Sequence, residues 1–402
     1  MVDPLVEIEG LVEFDGRWPG TDAERRAAVH LKGRLEELGR ETELEPIYVR
    51  PNFPVTYAVL ALLAVAGSVV AIASPLTGAV LVLVAAVCTF GDLTGLFLVF
   101  RVLTPRRASQ NVISREGGGK PGTLVLMAHY DAARTGYLFS RRSLERNAAL
   151  GKVLRRSIGP FEPFFWSMLV ILVCTLARLV GLKDLPLTVV QFIPTVALIA
   201  SVPLLLDIAL SGVVPGANDN ASGVATVLRL AERFGASLRH FDVWVLFPGA
   251  EEGLLLGSRA WIKRHRKELD PSSTVFLNVD AVGHGTVRYV TKEGFVFPLG
   301  YHPTLLALCE EIDSPGARGV VLRTVTDGYS MRSAGFPAVS IACLNAMDYF
   351  PYFHQHSDVP EHVEPDALER AFTFCSDLVE AIDERIGPDL ARGVDETVLS
   401  EG

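Results

Sequence analysis

Charged residues are absent from one long stretch of the chain, between residues 51 and 91. A helix rises about 1.5 Å per residue and needs about 20 residues to cross a hydrocarbon core, so this run suffices for two crossings. Ser74-Pro75 breaks it, which predicts spans near 54–74 and 77–100, with Asp92 toward the end of the second. A second pair is predicted at 163–182 and 185–206. Arg178 interrupts its first member and is expected to snorkel toward the interface. Pro194 and Pro203 kink the last span without forbidding it. Core helices of a soluble enzyme rarely run this far without a charge, so all four runs are read as membrane helices.

Elsewhere the pattern is that of a water-facing α/β protein. Residues 22–39 have helical spacing and end on Gly39, a C-cap residue type. Short apolar runs at 123–128, 241–247, 274–279 and 338–342 predict strands, and 221–234, 254–268 and 365–386 predict helices. Alternating strands and helices predict a mixed, largely parallel sheet flanked by helices, with two inserted transmembrane hairpins. In such sheets the site lies beyond the carboxyl ends of the strands. The implied organisation is one catalytic domain in three pieces, 1–50, 104–160 and 211–402, interrupted by hairpins at 51–103 and 161–210. Each interruption crosses an even number of times, so all three pieces meet on one side of the bilayer.

Composition adjusts this picture only slightly. The 402 residues are 49% hydrophobic, an excess that the four runs absorb. A formal charge of -9 argues against nucleic acid as a partner. The five cysteines (Cys88, Cys174, Cys309, Cys343 and Cys375) are scattered and odd in number, which fits neither a disulfide framework nor a cysteine zinc site. The first fifteen residues are acidic and lack the basic-then-apolar order of a signal peptide. Arg50, Arg101, Arg106, Arg107, Arg155 and Arg156 sit at the domain-side ends of the spans, against Arg178 and Lys183 near the hairpin tips. The positive-inside bias then places the catalytic domain in the cytoplasm of a multi-pass cell-membrane protein.

Metal-ligating residue types recur where strands end. Residues 123–128 run into His129-Tyr130-Asp131, 241–247 lead to Glu251-Glu252, and 274–279 end on Asp280. After 338–342 a loop carries His354-Gln355-His356-Ser357-Asp358, and Asp219 lies just before a helix. Each is ordinary alone: an aspartate before a helix is usually a cap, and paired glutamates usually a solvated helix start. Together, at the ends of strands in one sheet, they can share a single cleft.

The stretches LVLMAHYDA, GANDNASGVATVLRLAERF, VLFPGAEEGLLLGSRAW, FLNVDAVG and YFHQHSDVPEHVEPDAL resemble peptidase family M28, the co-catalytic zinc aminopeptidases. The opening DGRWPGTDAERRAAVHLKGRLEELG resembles that family's N-terminal helix, so the likeness covers nearly everything outside the four apolar runs. The resemblance implies two zinc ions per chain: His129 and Asp280 on one, Glu252 and His354 on the other, and Asp219 bridging. It implies Glu251 as general base, moving a proton from the attacking water to the leaving amine, and Asp131 as the acceptor that fixes the tautomer of His129. His354 is preferred over His356 because the family pattern places Asp four residues after the ligand, here Asp358, which is expected to orient that histidine or cap the next turn. Two departures stand out. Thr326-Asp327-Gly328-Tyr329 replaces a Ser-Asp-His pattern, and Phe353, with Tyr352 beside it, stands where a tyrosine often contacts the oxyanion. The implied activity is removal of N-terminal residues from peptides. A one-zinc glutaminyl-cyclase-like acyltransferase and a non-catalytic receptor or scaffold are the alternatives.

Overall fold

The computed structural model describes residues 2–154 and 156–390. Arg155 and the end of the third predicted piece, 391–402, lie outside the described residues. The helices are α1 Pro4–Val12, α2 Asp22–Glu37, α3 Phe53–Val70, α4 Pro75–Thr94, α5 Arg141–Leu154, α6 Phe161–Leu179, α7 Leu185–Leu210, α8 Ser222–Phe234, α9 Leu256–His265, α10 Pro303–Glu311, α11 Asp327–Ser333 and α12 Pro365–Arg385. The strands are β1 Glu43–Val49, β2 Arg107–Arg115, β3 Gly122–Met127, β4 Phe241–Phe247, β5 Thr274–Asp280, β6 Thr286–Glu293, β7 Leu299–Gly300, β8 Arg318–Leu322 and β9 Ala338–Leu344.

Among these residues one nine-stranded sheet forms in the order β1-β2-β4-β3-β5-β9-β6-β7, with β8 paired to β6. The centre, β4-β3-β5-β9, is parallel. The flanks are mostly antiparallel, β1 on β2, β2 on β4, and β6 on β9 and β7. The four central strands are the four read from the sequence. They are apolar on both faces because helices cover both. Along β3, Leu124 and Leu126 face one core with α1, α2, α8 and α12, while Val125 and Met127 face another with α9 and α11. This alternation is the two-residue period of a strand.

Among the described residues, four helices are long and apolar enough to cross a membrane: α3, α4, α6 and α7. They bundle together, α3 against α4 and α7, and α6 against the same two. Their outward faces carry exposed Leu62, Val69, Leu83, Val87, Val173, Phe192 and Ile193, an apolar girdle that water would not stabilise. These helices start and stop within about four residues of the sequence expectation, except that the second ends at Thr94 instead of near residue 100.

Arg178 corrects one expectation. It does not snorkel but is buried, donating to Gln191 Oε1 at 2.8 Å and Thr188 Oγ1 at 2.9 Å. Gln191 in turn donates to Ser68 O at 2.7 Å, and Ser68 and Thr195 share a 2.7 Å hydroxyl contact. Satisfied within a polar network between helices, the guanidinium has no need of the interface.

A second buried network ties β6 to β9. Tyr301 donates to Glu293 Oε1 at 2.6 Å and Thr326 Oγ1 donates to the same oxygen at 3.1 Å, with Ser340 Oγ 2.7 Å from the tyrosine. Burial pushes the Glu293 carboxyl up to about 8. A carboxyl raised on folding stabilises the fold most below its unfolded value, and that contribution is lost as pH rises through about 8. Thermal unfolding of wild type should therefore weaken between pH 5 and 8.5. Glu293→Gln, which keeps an acceptor and cannot ionise, should flatten that decline; an unchanged slope would place the titrating group elsewhere.

Candidate metal centre

The parallel strands deliver their carboxyl ends to one cleft. His129 follows β3, Asp280 ends β5, and Glu251-Glu252 form a short turn after β4. Asp219 arrives from the loop before α8 and His354 from the loop after β9. All seven residues proposed from the sequence are brought together. His129 Nε2 lies 3.3 Å from Asp219 Oδ1 and 3.8 Å from Asp280 Oδ1. His354 Nε2 lies 3.5 Å from Asp219 Oδ2 and 3.4 Å from Glu252 Oε2. The two oxygens of Asp219 thus face two different histidines.

These distances fit zinc. Ligand atoms about 2.0–2.1 Å from one tetrahedral ion stand about 3.4 Å apart. Three groups of candidate ligands have their atoms within 4.8 Å of one another, His129-Asp219-Asp280, Asp219-Glu252-His354 and His129-Glu251-Glu252, and the first two share Asp219. Among the described residues, no lysine or arginine pairs with the carboxylates of Asp219, Glu251, Glu252 or Asp280, and buried Glu252 Oε1 has no hydrogen-bond partner. Buried carboxylates without basic partners are stabilised by a cation. Burial drives Glu251 and Glu252 well above the usual carboxylate range and also raises Asp280. Burial alone would depress His129, but the charge of Glu251 and the nearby carboxylates of Asp131, Asp219 and Asp280 lift it well above its ordinary value. Burial opposes ionisation of Asp219 too, yet the two histidines hold it below the usual range.

The surrounding hydrogen bonds fix the frame. Asp131 lies 3.6 Å from His129 Nδ1, and its oxygens accept the N–H groups of Glu251 at 3.1 Å and Glu252 at 2.9 Å. One carboxylate therefore faces the histidine and clamps the glutamate turn. Asp358 does something other than orient His354: it accepts the N–H groups of Asn218 at 2.7 Å and Asp219 at 3.0 Å. His356 is exposed and faces Gly212, away from the cluster. Asn218, Asn220 and Ser222 accept the N–H groups of Gly283, Ala281 and Val282, clasping the Asp219 loop to the end of β5. Ala250, Ala281 and His354 have φ of 55°, 51° and 53°. Non-glycine residues in that region cost of order 1 kcal/mol each, and here they cluster at or beside the candidate ligands.

Several residues of this frame were not evident from the sequence. Glu24 on α2 accepts from Ser109 Oγ at 2.6 Å and Ala250 N–H at 3.1 Å, holding the turn that leads to Glu251. Thr21 and Glu24 have the spacing of a helix capping box, which explains the residue without revealing this reach. Asp327, in the first turn of α11, is fully buried with both oxygens unpartnered. Phe139 packs at a 57° tilt against the His354 ring, centroids 4.4 Å apart. Phe353 lines the cavity, whereas Tyr352 stacks on His362 at 4.6 Å. No tyrosine is among the cavity's lining residues, so neither position supplies a phenol hydroxyl there.

The chain is similar to several known proteins. Residues 201–379 match the family model of peptidase family M28. A 169-residue stretch is 24% identical to the vacuolar membrane protease of Schizosaccharomyces pombe, covering 41% of this chain and 19% of that relative's length. Among solved structures, a Zn-dependent exopeptidase from Parabacteroides distasonis superposes with a TM-score of 0.53 at 12% identity, covering 95% of this chain and 97% of the other. A zinc aminopeptidase from Bacillus subtilis gives 0.52 at 14%, covering 96% of each. A glutaminyl cyclase from Bacteroides thetaiotaomicron gives 0.51 at 14%, covering 94% and 98%. At such identities these structures share the fold with this chain.

Proposed function

From the match of residues 201–379 to the peptidase family M28 model, we propose that this chain is an M28 peptidase, a multi-pass membrane aminopeptidase that uses two zinc ions. The observation that carries this reading is the placement of one aspartate between two histidines, each completing a separate ligand triad. His129, Asp219 and Asp280 would hold one ion, and Asp219, Glu252 and His354 the other. When bound, the pair polarises the scissile carbonyl and eases deprotonation of a water. Glu251 lines the cavity, with Oε2 4.0 Å from His129 Nε2, and takes that proton before returning it to the leaving amine. Asp131 holds the glutamate turn by two backbone N–H groups and faces the ring of His129. The four apolar helices anchor the domain, and the basic residues at their domain-side ends favour a cytoplasmic catalytic face. The fungal relative's description as a vacuolar membrane protease supports pairing a peptidase with a membrane anchor.

Metal analysis of the full chain in detergent tests this reading, together with N-terminal residue release from aminoacyl substrates. Two zinc ions per chain are expected, with activity lost on chelation and restored by zinc. One zinc with cyclisation of N-terminal glutamine would move the assignment to the acyltransferase. No zinc and no turnover under zinc-replete conditions would leave a scaffold.

A further inference from the structure

The metal-ligand cluster opens into a cavity of about 240 Å³ whose far wall belongs to the apolar helices. His129, Asp219, Glu251, Glu252, Asp280 and His354 line one end. Phe164 and Ser167 from α6 and Leu198 and Ser201 from α7 line the other. Phe53 of α3, Phe161 of α6, and Leu205 and Ile208 of α7 line it at the domain-side ends of their helices. The reacting end and the membrane helices therefore bound the same space.

Depth follows from helix length. Counted from Leu185, the first residue of α7, a hydrocarbon core of ~30 Å ends near residue 204 at about 1.5 Å per residue. Leu198 and Ser201 then lie roughly 5–10 Å inside that boundary. Ser167 occupies a matching depth in the second turn of α6. None of the lining residues contributed by these helices is charged. The hydroxyl of Ser201 is already spent on Leu198 O at 2.7 Å within its own helix. Water entering this end finds few partners, and a dry apolar cavity of about 150 Å³ already accepts a benzene ring.

We propose that the substrates of this site are apolar peptides partitioned into the bilayer, bound with a large apolar N-terminal side chain between α6 and α7. This rests on the aminopeptidase reading above and names its substrate class. The polar N-terminus and scissile amide sit at the carboxylate end, at the domain side of the bilayer, while the side chain stays at hydrocarbon depth. A soluble peptide with a polar first residue leaves the far wall uncovered.

The test uses the full-length, zinc-loaded protein in phosphatidylcholine vesicles. Alanyl, leucyl and phenylalanyl substrates are compared, along with two peptides sharing an N-terminal Leu-Ala but carrying a polar or an apolar tail. The expected result is a kcat/KM at least about tenfold higher for leucyl than alanyl substrate, and faster cleavage of the vesicle-partitioned peptide. Ser201→Trp, which fills the membrane end, should lower the leucyl-to-alanyl ratio about tenfold. Leu198→Ala, which enlarges it, should raise the phenylalanyl-to-leucyl ratio, so a misfolded tryptophan variant leaves a second arm. Equal rates on both tails, or ratios unmoved by both variants while zinc is retained, would overturn the proposal and leave the aminopeptidase reading standing. Failure of the zinc-loaded wild type to release any N-terminal residue from any of these substrates would instead remove the aminopeptidase reading itself.

Discussion

Replacing Glu251 with alanine is expected to lower kcat by about 10²–10⁴-fold while zinc content stays at the wild-type value. That range corresponds to about 3–5 kcal/mol of transition-state stabilisation. Glu251 differs from its neighbour in surroundings. Glu252 Oε2 stands 3.4 Å from His354, at ligand spacing, whereas the nearest histidine nitrogen to Glu251 Oε2 is 4.0 Å away. The Glu251 side chain lines the cavity where substrate would lie, and its backbone N–H is held by Asp131 independently of the side chain. Truncation should thus remove a proton carrier without unfastening the turn. Glu251→Gln, which keeps shape and loses basicity, should be nearly as inactive. Stoichiometric zinc loss in the alanine variant would make Glu251 a ligand, and a drop of less than tenfold would take the proton transfer away from it.

The sequence showed most clearly what local pattern controls. The four central strands were legible because they are buried on both faces, and the four apolar helices because their exposed outward faces are as apolar as their packed ones, leaving unbroken runs. The outer strands were not, for an equally physical reason. In β2, Ser109, Asn111 and Ser114 are buried as hydrogen-bond partners of Glu24, Gly257 and Arg40, so the strand reads as polar. In β6, Arg288 and Glu293 are buried within ion-pair and hydroxyl networks. Helix α5 has no buried residue, so no core packing marks it. The candidate ligands were readable because each terminates or follows a strand of a parallel sheet, where cleft geometry is set by topology. The partners of their supports were not readable: Asp358, picked out for a role on His354, grips Asn218 and Asp219 across 140 and 139 residues of chain, and Gln191 meets Ser68 across 123. Spacing along the sequence carries no trace of either contact.

The same limit hid the joint between the apolar helices and the Glu251-Glu252 turn, and breaking it should cost as much as losing a core residue. Asp92, near the end of α4, accepts from Arg101 Nη2 at 2.7 Å and Nε at 2.8 Å, and from the Tyr57 hydroxyl at 2.9 Å. Arg101 Nη1 also donates to Arg50 O at 2.9 Å and to Gly253 O at 3.0 Å, immediately after Glu251-Glu252. Both charges are buried, so removing one leaves the other unpaired in a medium that solvates it poorly. Arg101→Met should therefore destabilise the folded protein by about 3–5 kcal/mol. Adding Asp92→Leu removes the stranded carboxylate, and the double variant should recover much of that stability, since an apolar pair of similar volume is often neutral. Activity should recover less, because neither change restores the donor to Gly253 O that steadies the turn bearing the proposed base and ligand. Thermal unfolding in detergent and kcat on a leucyl substrate, measured across the cycle, separate the two effects. Parallel recovery of both quantities would show that the ion pair anchors the hairpin and leaves the catalytic turn to its own hydrogen bonds.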